Sequence, residues 1–216
     1  MQVKNEIQKK HLENKLKHNG KIMLTYKIDY PEIKSSPYEY GKEVFNTYYA
    51  DKAFMLQRYC ENILFEEAKR VNEENEKNGY PVMQYEVILT YEITLNQANI
   101  VSLYMDNYTF TGGAHGNTIR QSKNWNLQQA CQIPISYFYE EDPYYILDIL
   151  KHINTEIKER IHKNEASYFD NYCQLVIDTF QLENYYVTPT HLVVFFQQYD
   201  IAPYATGIPT FSIPFV

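Results

Sequence analysis

The chain has 216 residues, 44% hydrophobic and 22% charged, which excludes a disordered or fibrous polymer and suits one large domain or two small ones. The net charge of −7 is unevenly spread. Residues 1–27 carry seven lysines against Glu6 and Glu13, and the remainder holds 13 basic and 25 acidic residues, a net −12, which repels nucleic acid and suits solubility or a cationic partner.

Residues 1–20 are polar and lysine-rich, with Ile7, Leu12 and Leu16 too sparse to bury a face, so they predict a frayed helix or flexible arm. From Lys21, alternating Ile22, Leu24, Tyr26, Ile28 and Tyr30 predict a first strand that stops at Pro31, and Ser35-Ser36-Pro37 punctuates. Residues 38–78 predict a long helix. Phe45, Tyr48, Tyr49, Leu56, Tyr59, Ile63 and Leu64 recur at spacings of three and four, and Asn78-Gly79 before Pro81 is a stop signal. A helix that long would run ~60 Å, so a break or bend is expected near Gly41 or Asp51.

After Pro81 the period switches to two. Met83, Tyr85, Val87, Leu89, Tyr91, Ile93 and Leu95 share one face of a strand, and Asn96-Gln-Ala-Asn99 turns it. Residues 100–110 and 118–127 predict two more strands, the last bearing Ile119, Trp125 and Leu127, in an antiparallel meander. Asp142-Pro143 then predicts a helix start, with Ile146, Ile149, Leu150, Ile153, Ile157 and Ile161 as its stripe. Phe169, Tyr172, Cys173, Val176, Ile177 and Phe180 predict a shorter helix, and the chain returns to strand at 184–188, 191–199 and around Phe211, Ile213 and Phe215. The whole predicts an α+β fold: an antiparallel sheet of about five to seven strands, with the long N-terminal helix and two later helices packed on one face.

Tyrosine is the compositional outlier, with 22 copies against one tryptophan, and its apolar ring and polar tip suit half-buried strands and binding surfaces alike. Cys60, Cys131 and Cys173 lack the number and spacing of a disulfide or zinc framework, and Cys60 and Cys173 read as small core residues. No run approaches the ~18 apolar residues of a membrane span, and no apolar stretch follows the N-terminal lysines. The sequence as written therefore predicts no membrane segment or signal and a cytoplasmic chain.

Two irregular stretches carry candidate binding residues. In the first, Gly112, Gly113 and Gly116 surround His115 ahead of Asn117, a tight loop that holds one imidazole in place. His115 suits three roles: structural hydrogen bonding, ligand contact, or general base in a small hydrolase, the enzymatic alternative. No nucleophile or orienting carboxylate is visible beside it, and the Gly-x-Ser-x-Gly, His-Glu-x-x-His and phosphate-loop patterns are missing, so the sequence predicts no enzyme and no cofactor or metal. In the second stretch, Tyr199 and Asp200 lead into Pro203-Tyr204 and Gly207. Tyr204 on its proline support is the best aromatic anchor, Asp200 is a turn cap or a partner contact, and the competing assignment has Ile201, Pro203 and Tyr204 plug the core.

Gly112-Gly-Ala-His-Gly-Asn117 with Trp125-Asn-Leu127, followed some eighty residues later by Tyr199-Asp-Ile-Ala-Pro-Tyr-Ala-Thr-Gly-Ile-Pro209 and Phe211-Ser-Ile-Pro214, resembles the paired domains of unknown function 4163 and 3298. The resemblance runs from about Lys21 to the end. It implies, after the arm over 1–20, a 4163-like subdomain over 21–111 and a 3298-like subdomain over 112–216, intertwined near 112–120. That family includes the lysozyme-binding extracytoplasmic region of a bacterial anti-sigma factor and the N-terminal region of a peptidoglycan deacetylase. The resemblance therefore implies an extracytoplasmic, non-enzymatic binding or sensing module of the cell envelope, recognising a lysozyme-like basic protein or a wall glycan. Neither a sigma-binding segment nor a membrane helix precedes the region in this sequence, so signalling by membrane cleavage is not carried over.

Overall fold

In the computed structural model, which describes residues 4–139 and 142–215, the chain opens with a long β-hairpin. Strand β1 (Glu6–His18) pairs antiparallel with β2 (Lys21–Ser35) over its full length. The frayed helix or arm expected for residues 1–20 is thus a strand from Glu6 onward. Counting apolar residues misjudged it, because an edge strand is ordered by ladder hydrogen bonds to its neighbour and needs no buried face of its own. The missed signal is Asn19-Gly20: both residues have positive φ, 49° and 79°, as a two-residue hairpin loop requires.

The second strand also outruns its expected end at Pro31. Its parallel pairing with β3 (Tyr85–Gln97) stops at Ile28, so Pro31, paired to Lys9 of β1, sits where one flank of β2 is unpaired by strand. A residue without an N–H is tolerated there. Parallel pairing of β2 and β3 departs from the all-antiparallel expectation, and its cause lies between them, since parallel strands need a long crossover.

The crossover is the predicted long helix, here α1 (Glu39–Tyr59), a π-turn at Cys60–Leu64, and α2 (Phe65–Lys77), ending at Gly79 with φ 74°. The irregularity falls at the π-turn rather than near Gly41 or Asp51. Buried positions recur every fourth residue, Gly41, Phe45, Tyr49 and Ala53, then Cys60, Leu64, Ala68 and Asn72. Fourfold spacing drifts around a 3.6-residue helix, and taking an extra residue into one turn resets the phase. Gly41 marks a close approach: a Cβ there would meet the Leu127 carbonyl oxygen at 1.9 Å.

The protein is α+β. A six-stranded, mostly antiparallel sheet runs in the order β1-β2-β3-β4-β5-β6, with β4 at Ile100–Phe110, β5 at Asn117–Asn126 and β6 at Cys131–Gln132. A second, three-stranded antiparallel sheet holds β7 (Tyr185–Val187), β8 (His191–Phe195) and β9 (Thr210–Pro214). Between the sheets in sequence come α3 (Tyr145–His162) and α4 (Tyr172–Thr179). Of the α3 stripe Ile149, Ile153 and Ile157 are buried, whereas Ile161 is exposed. The helix begins two residues after Pro143, with Asp142 Oδ1 accepting the Tyr144 N–H at 2.8 Å. In α4 only Val176 is buried, so Cys173, expected in the core, is exposed; eight residues give the helix too little length to bury a wide stripe. Cys60 is buried as expected, and burial pushes its thiol up to about 12.

The chain forms two compact units, one of Met1–Tyr91, Met105–Thr118 and Leu127–Ala130, the other of Glu92–Tyr104, Ile119–Asn126 and Cys131–Val216. Strands β3, β4 and β5 give residues to both, so the units interleave along the chain.

Candidate functional site

The glycine-rich loop belongs to the first unit and the Tyr199–Gly207 stretch to the second. In the loop, Gly112 and Gly113 take φ of 110° and 91°, a backbone region that favours glycine. A Cβ on Gly112 would strike the Met83 sulfur at 2.7 Å, and one on Gly116 the Tyr108 ring at 2.4 Å. Gly112 is thus favoured by its backbone, and a side chain at either position would displace the Met83 or Tyr108 side chain. His115 and Asn117 are exposed, and the His115 ring Nδ1–H donates to the Gly116 carbonyl oxygen at 2.9 Å, a contact that orients the ring locally.

In the second stretch Asp200 caps its turn: Oδ2 accepts the Gln197 N–H at 2.8 Å, and the Asp200 N–H donates back to the Gln197 carbonyl at 3.2 Å. Burial raises the carboxyl's pKa, and the Gln197 N–H opposes this. The Gln197 side chain is itself a clamp, its Oε1 accepting the Arg120 N–H at 2.9 Å and its Nε2 donating to the Arg120 carbonyl at 2.7 Å. Of the core-plug residues Ile201 is buried, beside buried Ala202, while Pro203 and Tyr204 are only partly buried. Tyr199 is 50% exposed and holds φ 69°, and its ring lies 5.8 Å from that of Tyr204. The strained backbone and the two rings make a preset aromatic pair on a loop tied at both ends.

A buried polar network that the sequence did not disclose lies in the same unit. Ser102 Oγ donates to Asn124 Oδ1 at 2.6 Å and accepts from Thr94 Oγ1 and from the Val187 N–H, each at 2.9 Å. Ser122 Oγ and Asn124 Nδ2 donate to the Tyr185 carbonyl, and Tyr185 O–H donates to the Ile133 carbonyl at 2.5 Å. Burial pushes the Tyr185 phenol up. Side chains of β4 and β5 thus bond the backbone of β7, which accounts for polar residues beside Trp125 by structure.

The same unit also opens a groove of about 930 Å³ between α3 and β9. Tyr137, Phe138 and Tyr139 of a 3₁₀ turn, Ile149, Ile213 and Phe215 line it, with Asp142, Asp148 and His152. Sequence reasoning missed it because its rings come from positions nearly eighty residues apart. The only local signal was the Tyr137-Phe138-Tyr139 triplet. Among the described residues no group of three or more His, Cys, Asp or Glu side chains could hold a metal ion, and no helix is long and apolar enough to cross a membrane.

The family described as Deacetylase PdaC matches residues 3–118, more than half of the chain, and the protein belongs to that family. The protein of unknown function family DUF3298 matches residues 138–216. Two crystal structures of DUF3298 family proteins share the fold. One, from Bacteroides fragilis, is 19% identical with a TM-score of 0.71, the alignment covering 99% of this chain and 92% of that one. Another, from Pseudomonas aeruginosa, is 17% identical with a TM-score of 0.60, covering 98% and 92%. No curated protein matches the chain.

Proposed function

We propose that the protein is a non-enzymatic recognition module of the bacterial cell-envelope type, which binds a basic protein such as lysozyme or a peptidoglycan-related glycan. The observation that carries this reading is the Tyr199–Tyr204 pair, a half-exposed Tyr199 ring 5.8 Å from the partly buried Tyr204 ring, on a loop fixed by Asp200 and Gln197. Preset aromatic anchors lose little entropy on association and dominate binding energy where they occur. The family match to Deacetylase PdaC and the resemblance to the N-terminal region of a peptidoglycan deacetylase support an envelope setting. The net −12 of residues 28–216 favours a cationic partner, with affinity that weakens in salt.

Calorimetric titration of lysozyme and of soluble peptidoglycan fragments into the wild type and into Tyr199→Ala and Tyr204→Ala tests this. Removal of an aromatic hot spot costs ~2 kcal/mol or more, so the expected loss is at least about thirtyfold for each folded variant. No binding by the wild type overturns the partner, and undiminished binding by the variants overturns the site. Hydrolysis of either titrant by the wild type, lost in His115→Ala, would replace this reading with the enzymatic one.

A further inference from the structure

We propose that the groove between α3 and β9 is a separate saccharide site, which takes a segment of a pyranose polymer bearing free amino groups. No residue of the Tyr199–Tyr204 loop lines it, so it goes beyond the reading above and stands or falls on other side chains.

The first argument is the shape of the apolar wall. Tyr137 and Phe215 are 45% and 41% exposed, a state that water does not favour for large rings. Phe138 lies between them, its centroid 5.3 Å from Tyr137 and 5.7 Å from Phe215. Phe138 and Phe215 incline at 31° to each other and Tyr137 stands edge-on to Phe138 at 82°, so the three rings make one continuous but stepped apolar wall beside Ile149 and Ile213. Aromatic faces carry negative potential, and they attract both the polarised C–H face of a pyranose and an ammonium group.

Polar groups supply the second argument. Asp142 and Asp148 are acceptor-only when ionised, which suits the hydroxyl and ammonium donors of an amino sugar. Lys151 Nζ sits 3.0 Å from Asp148, but the two side chains are 75% and 61% exposed, and so exposed a pair holds its partners weakly. The His152 Nε2–H donates to the Ser212 carbonyl at 3.1 Å, which fixes the imidazole against β9. The third argument is charge. An acidic body disfavours anionic polymers and favours a cationic one over its neutral N-acetylated counterpart. An open groove of about 930 Å³ accommodates a segment of chain rather than enclosing a small molecule.

The test is to titrate the full chain with a β-1,4-linked glucosamine tetramer, its fully N-acetylated counterpart, and an arginine-rich peptide of the same charge as the glucosamine tetramer. The glucosamine tetramer should bind at least about tenfold more tightly than the other two, a margin of 1.4 kcal/mol. Tyr137→Ala and Asp142→Asn should each weaken it by a similar factor, and Tyr80→Ala, an exposed tyrosine outside both candidate sites, should leave it unchanged; Asn keeps an oxygen for the Tyr144 N–H, so D142N retains the cap. No binding of the tetramer, equal or tighter binding of the N-acetylated form or the peptide, or full affinity in folded Tyr137→Ala and Asp142→Asn would overturn the proposal. Loss in Tyr204→Ala alone would also overturn the groove while leaving the other reading intact.

Discussion

Gly41 is the residue where helix propensity and packing pull in opposite directions. Alanine is favoured over glycine inside a helix by ~1 kcal/mol, yet its Cβ would lie 1.9 Å from backbone oxygen of Leu127, an atom that no rotamer change can move aside. Overpacking costs ~1–3 kcal/mol, so Gly41→Ala should lower the denaturant midpoint, and an unchanged or raised midpoint would contradict the close approach. Ser102 presents the opposite defect. Alanine in its place would leave the Val187 N–H and Asn124 Oδ1 without their partner in a fully buried position, at ~1–3 kcal/mol. Thermal unfolding should show a clear fall in Tm for Ser102→Ala, and a neutral result would mean that the network relaxes around the gap.

At the scale of elements, three amide side chains replace missing strands. Asn46 accepts the Ile33 N–H at 2.7 Å and donates to the Ile33 carbonyl at 2.9 Å, beyond the point where β3 leaves β2. Asn72 does the same for Met83, and Gln197 for Arg120. A side-chain amide carries one donor and one acceptor in the geometry of a peptide, so a single residue satisfies the backbone groups that a strand partner would have taken. The β1–β2 ribbon has an electrostatic element of its own. His11 Nδ1 donates to Asp29 Oδ1 at 2.5 Å, with Glu13 and Lys9 beside the pair. Hydrogen bonds donated to Asp29 and then Glu13 raise the His11 pKa above its ordinary 6.5. For Asp29, burial opposes ionisation, but the bonds from His11 and Lys9 prevail and hold its pKa below 3.8.

The raised imidazole stabilises the ribbon fully below pH 6.5, and that contribution is lost as pH rises through the higher folded value. The lowered carboxylate contributes above 3.8 and is lost as pH falls through its folded value. Both are charged in between, so amide exchange of β1, corrected for its intrinsic pH dependence, should show greatest protection in that window. The His11→Gln variant should lose the alkaline limb; an identical profile in that variant would rule out His11 as the cause. The effect is small because the imidazole side chain is 42% exposed and solvent screens the pair.

For the whole molecule, the first strand decides whether the chain can be shortened. A chain beginning at Lys21 would expose one edge of β2, residues 21–35, which are now paired to β1. Its alternating apolar sequence would then be open to pairing with other copies. Deletion of residues 1–20 should therefore lower Tm and increase association at high concentration; a monomer of undiminished stability would show that β1 is dispensable.

What the sequence determined by itself were the features fixed by local chemistry. The period-two run from Tyr85, the Asn78-Gly79 stop, the Ile149, Ile153 and Ile157 stripe and the α+β class followed from side-chain spacing, because burial of one face imposes a period on any strand or helix. Asp200 as a turn cap was legible for the same reason, since its partner lies three residues away. Tertiary structure decided the rest. A lysine-rich segment became β1 because β2 offered a ladder, Gly41 was set by a carbonyl far along the chain, and Ser102, Asn124 and Tyr185 became one network. The groove joined Tyr137 to Phe215. In each case the partner is distant in sequence, and a backbone hydrogen bond, a steric limit or a shared surface leaves no periodic mark on the residues that make it.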